Sequence, residues 1–453
     1  MKDERAAADE FSGIDLGDAR RDARVRRVVE ALQADPTAAF PKALKTVAAR
    51  EAFYRLVNNE AVTLEALLGP HSAQTIARAA QDDEPTIIAI DKTQFVFEGE
   101  GEREGLEWIS DNKQAFEAFF ALAVSPSRRS HGVLAVESID GKGRSTADDW
   151  TDFVHRAGSD LESTGIRPVY VMDREADAYA LFCTLVDAKR DFVVRVSFDR
   201  MIREFSDSIR EPLRDVAERQ PTILNRTVRV ARRKAGGRSG SKRAKHPTRT
   251  SRNVTLSIRA GAISMPRPGG KTQGLVAALP LNLVQVVEVN PPANEAAIEW
   301  LLITPLPISD VRSVEAIVDA YRARWVIEEY FKALKTGCKY ETRQLESRHA
   351  LQGALGLLIP IAWRLLELRT IGEEEPDAPA TDILDTDELH VLRKLSHDIK
   401  LGPRPKAAEV LLAIASLGGH IRQNGRPGWQ VLFGGFKELL DRVEGYRIAR
   451  AEM

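Results

Sequence analysis

Apolar residues recur every three or four positions through "DLGDARRDARVRRVVEAL" and "ALKTVAAREAFYRLVNN", both within residues 15–70. That period predicts helices, which Pro36 and Pro41 separate. The pattern then changes. "TIIAID" (86–91), "AFFALAV" (118–124) and "HGVLAVESI" (131–139) are short apolar runs that read as strands, the first ending at Asp91. "TADDWTDFVHRAGSDLES" (146–163) returns to helical spacing, with Thr146 as the expected N-cap. "PVYVMD" (168–173) is a buried strand ending at Asp173, followed by helix "EADAYALFCTLVDA" (175–188) and strand "FVVRV" (192–196). Three antiparallel strands joined to strand–helix units predict a mixed sheet in an α/β fold.

From 199 to 296 the chain alternates Arg/Lys-rich loops with "RTVRVA", "NVTLSIRA" and "QVVEV", which reads as a β-rich insertion. "EWLLITPL" (299–306) restores the buried-strand pattern. "YRARWVIEEYFKALKTG" (321–337) holds no Gly, Pro or Asn before its last residue, so it predicts one helix with Gly337 as the stop. "ALQGALGLLIPIAWRLLEL" (350–368) is the most apolar stretch. Gln352, Arg364 and Glu367 argue against a membrane span, and Pro360 predicts a buried helix pair broken at the proline. After the acidic "EEEPDAPATDILDTDE" (373–388), expected as a linker, residues 389–453 read as a second helical unit turning at Gly418 and Gly419. The expected division is 1–72, a helical unit; 73–370, an α/β unit with a β-rich insertion at about 199–296; and 371–453, a second helical unit.

Composition narrows the picture little: 43% hydrophobic and 29% charged residues in 453 describe an ordinary globular chain with room for two or three cores. The polar start "MKDERAAADEFSGIDLGD" reads as no secretory signal. Cys183 and Cys338 match no metal or redox spacing and suggest a reducing cytoplasm. Charge changes the picture more. A net charge of −1 conceals a run from Asn225 to Asn253 with eleven Lys or Arg, among them Arg232, Arg233, Lys242 and Arg243, and no Asp or Glu. A second basic run, "DARRDARVRR" (18–27), sets five Arg against two Asp. Segregated charge at overall neutrality points to local surfaces for a polyanion.

Carboxylates at the ends of adjacent strands, as expected for Asp91 and Asp173, repel unless a cation lies between them. Hard oxygen donors favour Mg²⁺ or Mn²⁺, and a third carboxylate would complete a two-metal site for phosphodiester chemistry. Glu328 fits. Tyr321, Arg324, Glu328 and Lys335 fall on one helical stripe, so the cations would grip phosphates on either side of the metal-bound carboxylate. The bland reading is an exposed helix face with an Arg324–Glu328 ion pair.

The spacing Tyr321-x₂-Arg324-x₃-Glu328-x₆-Lys335 resembles the YREK signature of DDE transposases of the insertion-sequence-four group, to which the transposon-five transposase belongs. "VMDREAD" (171–177) and "IAIDKT" (88–93) resemble that family's two aspartate motifs, although Lys92 departs from the smaller residue commoner there. "LGDARRDAR" (16–24) and "AFYRLVNN" (52–59) resemble its N-terminal DNA-binding region and "GWQVLFGGFKELLDRVEGY" (428–446) its C-terminal tail, so the resemblance makes 1–72 the DNA-binding domain, 73–370 the catalytic domain and 371–453 the dimerisation domain. The resemblance implies a ribonuclease H-like core, with Asp91, Asp173 and Glu328 as the catalytic triad holding two Mg²⁺ ions (Mn²⁺ may substitute). It implies that Tyr321, Arg324, Lys332 and Lys335 hold transposon-end phosphates. It also implies that Trp300 stacks on a flipped base, that Arg174 and Arg195 lie near DNA, and that Arg20, Arg21 and Arg24 read it. Residues alone favour Trp300 as a core residue. The implied activity is cut-and-paste transposition of double-stranded DNA through a hairpin, by a homodimer in a bacterial cytoplasm. A transposase-derived DNA-binding regulator and a stand-alone nuclease remain the alternatives.

Overall fold

The computed structural model describes residues 7–139, 146–204, 209–230, 249–269, 272, 274–421, 423 and 425–451. Arg232, Arg233, Lys242 and Arg243 lie outside them. The chain forms two compact units: Met1–Gly143 with Ala157–Ile166 and Trp325–Met453, and Arg144–Arg156 with Arg167–Arg324.

The first unit begins with helices Ala19–Ala34, Phe40–Ala43, Val47–Val57 and Leu64–Gln81. Asp18, Thr46 and Thr63 cap three of them through side-chain oxygens that accept a backbone N–H of the first turn. The last of these helices runs across residue 72. Their apolar faces (Val25, Val29, Leu32, Phe53, Leu67) are buried, as the three-to-four period requires. Strands β1 (Ile87–Glu98), β2 (Glu107–Ser110), β3 (Lys113–Val124) and β4 (Ser130–Ile139) follow. β3 pairs antiparallel with β1 along its whole length, and also with β4 and the short β2. β2 is not legible in the sequence: it is four residues long, all exposed, and its two apolar residues, Trp108 and Ile109, are adjacent instead of alternating.

Helix Arg348–Glu374 is continuous through Pro360, contrary to the predicted break. The proline does remove one helix hydrogen bond. Burial on nearly every side outweighs that loss: Gly353 lies against Val57, and Gly356 is so close to Leu67 that an added Cβ would come within 2.8 Å of it. Its most apolar stretch is long enough to cross a membrane, and 83% of that stretch is buried within the protein. The acidic segment is structured as well. It ends this helix, forms the turn Ala380–Asp382 and supplies the Asp385–Glu388 capping box of helix Thr386–Leu395. Helices Ala407–Leu417 and Trp429–Ala451 complete the unit, joined through the predicted turn at Gly418 and Gly419.

In the second unit β5 (Val169–Met172) and β6 (Asp191–Arg195) run parallel, and the remaining pairs are antiparallel. The sheet continues through β12 (Glu299–Thr304), β11 (Ala278–Glu288), β10 (Arg252–Pro266), β7 (Met201–Glu204) and β8 (Glu211–Pro212), with β9 (Thr222–Val230) also on β10. A mixed sheet within an α/β fold is therefore observed, and the insertion is β-rich apart from helix Leu213–Arg219.

Candidate active site

Asp91 is the fifth residue of β1, not its last, because the strand continues to Glu98. "KTQFVFE" alternates apolar and polar residues and so extends a strand that began as a buried run. Asp91 lies directly across from Phe120 in the β1–β3 ladder. Cross-strand partners share a face. The Phe120 ring meets Tyr330 and Phe331 at centroid distances of 5.9 and 5.3 Å. Asp91 therefore points to the sheet face covered by helix Val326–Lys332, which carries Glu328. Both carboxylates are half-buried. Lys92 turns the other way and pairs with Glu117 at 3.0 Å.

The predicted single helix 321–337 is in fact three pieces: Val311–Ala323, Val326–Lys332 and a π-turn Ala333–Gly337 that ends where expected. The break falls at Arg324 and Trp325. Lys332 pairs with Glu329 at 2.6 Å. Burial pushes the Glu329 carboxyl up, but the Lys332 hydrogen bond and the charge of Arg369 outweigh it and hold the group below its usual range. The Lys335 ammonium donates to the Gln94 carbonyl at 2.6 Å, lies 3.4 Å from Glu341 and sits 5.2 Å from the centre of the Phe95 ring. It thus ties the π-turn to β1.

In the second unit the last register pair of the parallel strands is Met172 with Val194. Asp173 and Arg195 follow it on the two strands, so they stand side by side where the ladder ends. Asp173 caps the single turn Arg174–Ala176, its carboxylate accepting the Glu175 N–H at 2.8 Å. Its carboxylate thus acts as a plain turn former, and the residue is half-buried. Arg174 is exposed. Arg195 donates to the Glu299 carbonyl at 2.8 Å and hydrogen-bonds the Tyr321 side chain.

Tyr321 is buried, 7% exposed, between Trp300 (ring centroids 5.2 Å apart, edge-on at 63°) and Arg324, whose guanidinium carbon is 5.9 Å from the ring centre. Burial raises the Tyr321 hydroxyl pKa, while Arg324 and Arg195 oppose that rise. Arg324 is itself only 5% exposed, so at Tyr321 and Arg324 the helix is packed and is not the exposed face of the bland reading. Trp300 is half-buried, neither a full core residue nor a free platform.

At the N-terminus Arg20 is exposed and forks onto Asp18, which it draws down to about 2. Arg21 donates to the Leu16 carbonyl at 3.1 Å. Arg24 borders a cleft of about 850 Å³ floored by alanines, with Arg27, Lys42 and Lys45 also on its wall.

Residues 82–363 match the family model described as the transposase DDE domain, and residues 3–62 match that of transposase DNA-binding. The chain belongs to the DDE transposase family. It is a DNA transposase, with DNA as its partner. A solved piggyBac transposase synaptic complex with hairpin DNA covers 99% of this chain and 80% of its own at 11% identity and a TM-score of 0.35, a likeness too distant to bear on the fold.

A DDE transposase works with divalent metal ions. Asp91, Asp173 and Glu328 offer the oxygen-only donor chemistry that such ions take. Among the described residues no three His, Cys, Asp or Glu side chains are grouped as a metal cage. Two site features were not read from the sequence: Phe120, whose position depends on strand register, and Asp177, a carboxylate with no periodic signal beyond its place four residues after Asp173.

Proposed function

We propose that the protein is a cut-and-paste transposase of the insertion-sequence-four group, with Asp91, Asp173 and Glu328 as its catalytic triad on a ribonuclease H-like core. The observation that carries this reading is the side-by-side placement of Asp173 and Arg195 at the end of the parallel pair, with Tyr321 bonded to Arg195. A carboxylate beside a guanidinium at a sheet end suits a phosphodiester: one side recruits cation, the other holds the anionic oxygens.

The three carboxylates would hold two Mg²⁺ ions, which when bound supply an activated water and charge neutralisation at phosphorus. Arg195 and Arg324 orient the scissile strand, and Tyr321 fixes both guanidiniums by hydrogen bond and ring contact. Lys332, Lys335 and Arg174 supply charge to the flanking phosphates, and Trp300 receives a displaced base. The N-terminal helices, through Arg20, Arg21 and Arg24, and the basic run holding Arg232, Arg233, Lys242 and Arg243 hold the terminal repeat. Strand nicking, hairpin formation, reopening and joining are successive in-line displacements served by one set of residues. Two copies pair two ends in a bacterial cytoplasm, with residues 371–453 forming the dimer contact.

The test is Mg²⁺-dependent cleavage of a labelled duplex bearing the element's own terminal repeat, wild type beside Glu328→Ala. Hairpinned ends from wild type alone support the whole reading. Tight, salt-sensitive binding with no cutting by wild type moves it to a DNA-binding regulator.

A further inference from the structure

We propose that Asp177 is a positioning residue of the reaction, clamping the turn that bears Asp173 to the strand end that bears Arg195. The inference rests on the reading of those two residues given above. Asp173 and Asp177 bracket one 3₁₀ turn, Arg174–Ala176, as its N-terminal and C-terminal caps. The Asp177 side chain is 0% exposed. One of its oxygens accepts the Ser197 N–H at 2.8 Å, the Phe198 N–H at 3.2 Å and the Ser197 hydroxyl at 3.3 Å. The other accepts Arg200 Nε at 3.1 Å and a second, closer bond from the same guanidinium. Arg200 also donates to the Asp177 carbonyl at 2.7 Å.

Ser197 and Phe198 follow Arg195 by two and three residues. A single buried carboxylate therefore joins the loop after β5 to the loop after β6, just beyond the point where the parallel ladder stops. The ladder fixes Met172 against Val194. Beyond it β5 and β6 share no further register pair, Arg195 being paired on its other side with Leu302 of β12, and the Asp177 clamp links the Asp173 turn to the Arg195 strand. A neutral or alkyl substitute would also close a turn, but one carbonyl oxygen cannot serve both the backbone N–H pair and the Arg200 fork. The charge of Asp177 is thus used for geometry, not for contact with substrate.

The experiment compares full-length wild type, Asp177→Asn, Arg200→Lys and Asp173→Asn. Thermal melting establishes the folded fraction, electron paramagnetic resonance titrates Mn²⁺ binding without DNA, and anisotropy gives the affinity for a terminal-repeat duplex. We expect folded Asp177→Asn to bind Mn²⁺ about tenfold more weakly, with cleavage partly restored at higher Mg²⁺. A purely structural latch would lower the melting temperature and leave the Mn²⁺ and DNA affinities of the folded fraction at wild-type values, and that result overturns the proposal. Should Asp177→Asn not fold, Arg200→Lys, which keeps the charge and loses the fork, decides by the same readouts. If Asp173→Asn itself binds Mn²⁺ and cleaves as wild type, the reading of the site fails and the clamp falls with it. An effect of Asp173→Asn without one of Asp177→Asn or Arg200→Lys rejects the clamp alone.

Discussion

Asp91 and Phe120 face each other across the β1–β3 ladder, and the Phe120 ring supports the helix that carries Glu328 through Tyr330 and Phe331. A candidate catalytic carboxylate and a core aromatic thus share one cross-strand position. Their substitutions should separate chemistry from packing. Asp91→Asn leaves stability within about 0.5 kcal/mol of wild type, as expected for a half-buried polar change, and lowers cleavage on the order of 10³-fold or more. Phe120→Ala costs about 3–5 kcal/mol through the cavity it leaves and reduces cleavage by loosening the Glu328 helix. Urea unfolding beside a cleavage assay distinguishes the two. Equal stability losses for both variants would contradict the assignment.

The Trp300–Tyr321–Arg324 cluster makes a second separation possible. Tyr321→Phe keeps the edge-on ring contact with Trp300 and deletes only the hydroxyl bonded to Arg195. The expected stability loss is about 1 kcal/mol, the usual value for one hydrogen bond. If Tyr321 acts by holding Arg195, the variant binds a terminal-repeat duplex less tightly, and combining it with Arg195→Ala adds little to the loss from Arg195→Ala alone. Anisotropy titrations of the two single variants and the double variant read this directly. Full additivity would mean that Tyr321 contacts DNA on its own account.

Close backbone approach between the last two long helices gives a prediction about the fold. A Cβ added at Gly435 would lie 1.7 Å from the Ile414 carbonyl oxygen, and one at Gly418 1.8 Å from that of Val431. Both obstacles are backbone, so no side chain can swing aside. Gly435→Ala should destabilise the protein by about 3 kcal/mol, at the upper end of overpacking costs. Gly402→Ala, where nothing lies within 4 Å, should be neutral or slightly stabilising. Chemical denaturation of both variants tests the pair, and a neutral Gly435→Ala would mean that the two helices are not packed as described.

What the sequence made legible follows from which forces are local. Helices Ala19–Ala34 and Val47–Val57 announced themselves because burial of one face leaves a three-to-four period with an Asp or Thr cap. Asp173 at the end of β5 was readable for the same reason, as a run of buried residues ending in a turn former. The end of β1 is hidden in the sequence because the strand is buried on both faces at first and on one face after Asp91, so its pattern changes midway. Pro360 signals a break that does not occur because its cost is local while the packing that offsets it, on Val57 and Leu67, comes from residues far away in the chain. The burial of Tyr321 and Arg324 and the support of Asp91 by Phe120 depend on register and on the break at Arg324–Trp325. Neither is written in a period.

Glu388 provides a pH prediction whose sign can be worked out. Its carboxyl borders a cavity of about 330 Å³ with Asp385, Arg364, Arg447 and Glu30, and accepts the Asp385 N–H at 2.9 Å in the capping box. Burial first, and the neighbouring Asp385 carboxylate second, push it from 4.5 up to about 7, against the opposing charges of Arg364 and Arg447. A raised carboxyl pKa means that the folded chain binds more protons than the unfolded chain between about 4.5 and 7. Stability from this group therefore falls as pH rises through that window and stays low above it. Glu388→Gln keeps an acceptor for the Asp385 N–H and removes the charge. At pH 8 it should be more stable than wild type by about 1–2 kcal/mol, discounted for partial solvent access, and at pH 4 the two should converge. Thermal melts of both proteins across pH 4–8 measure the difference. Parallel curves over that range would mean that Glu388 ionises in the folded chain as it does in the unfolded one.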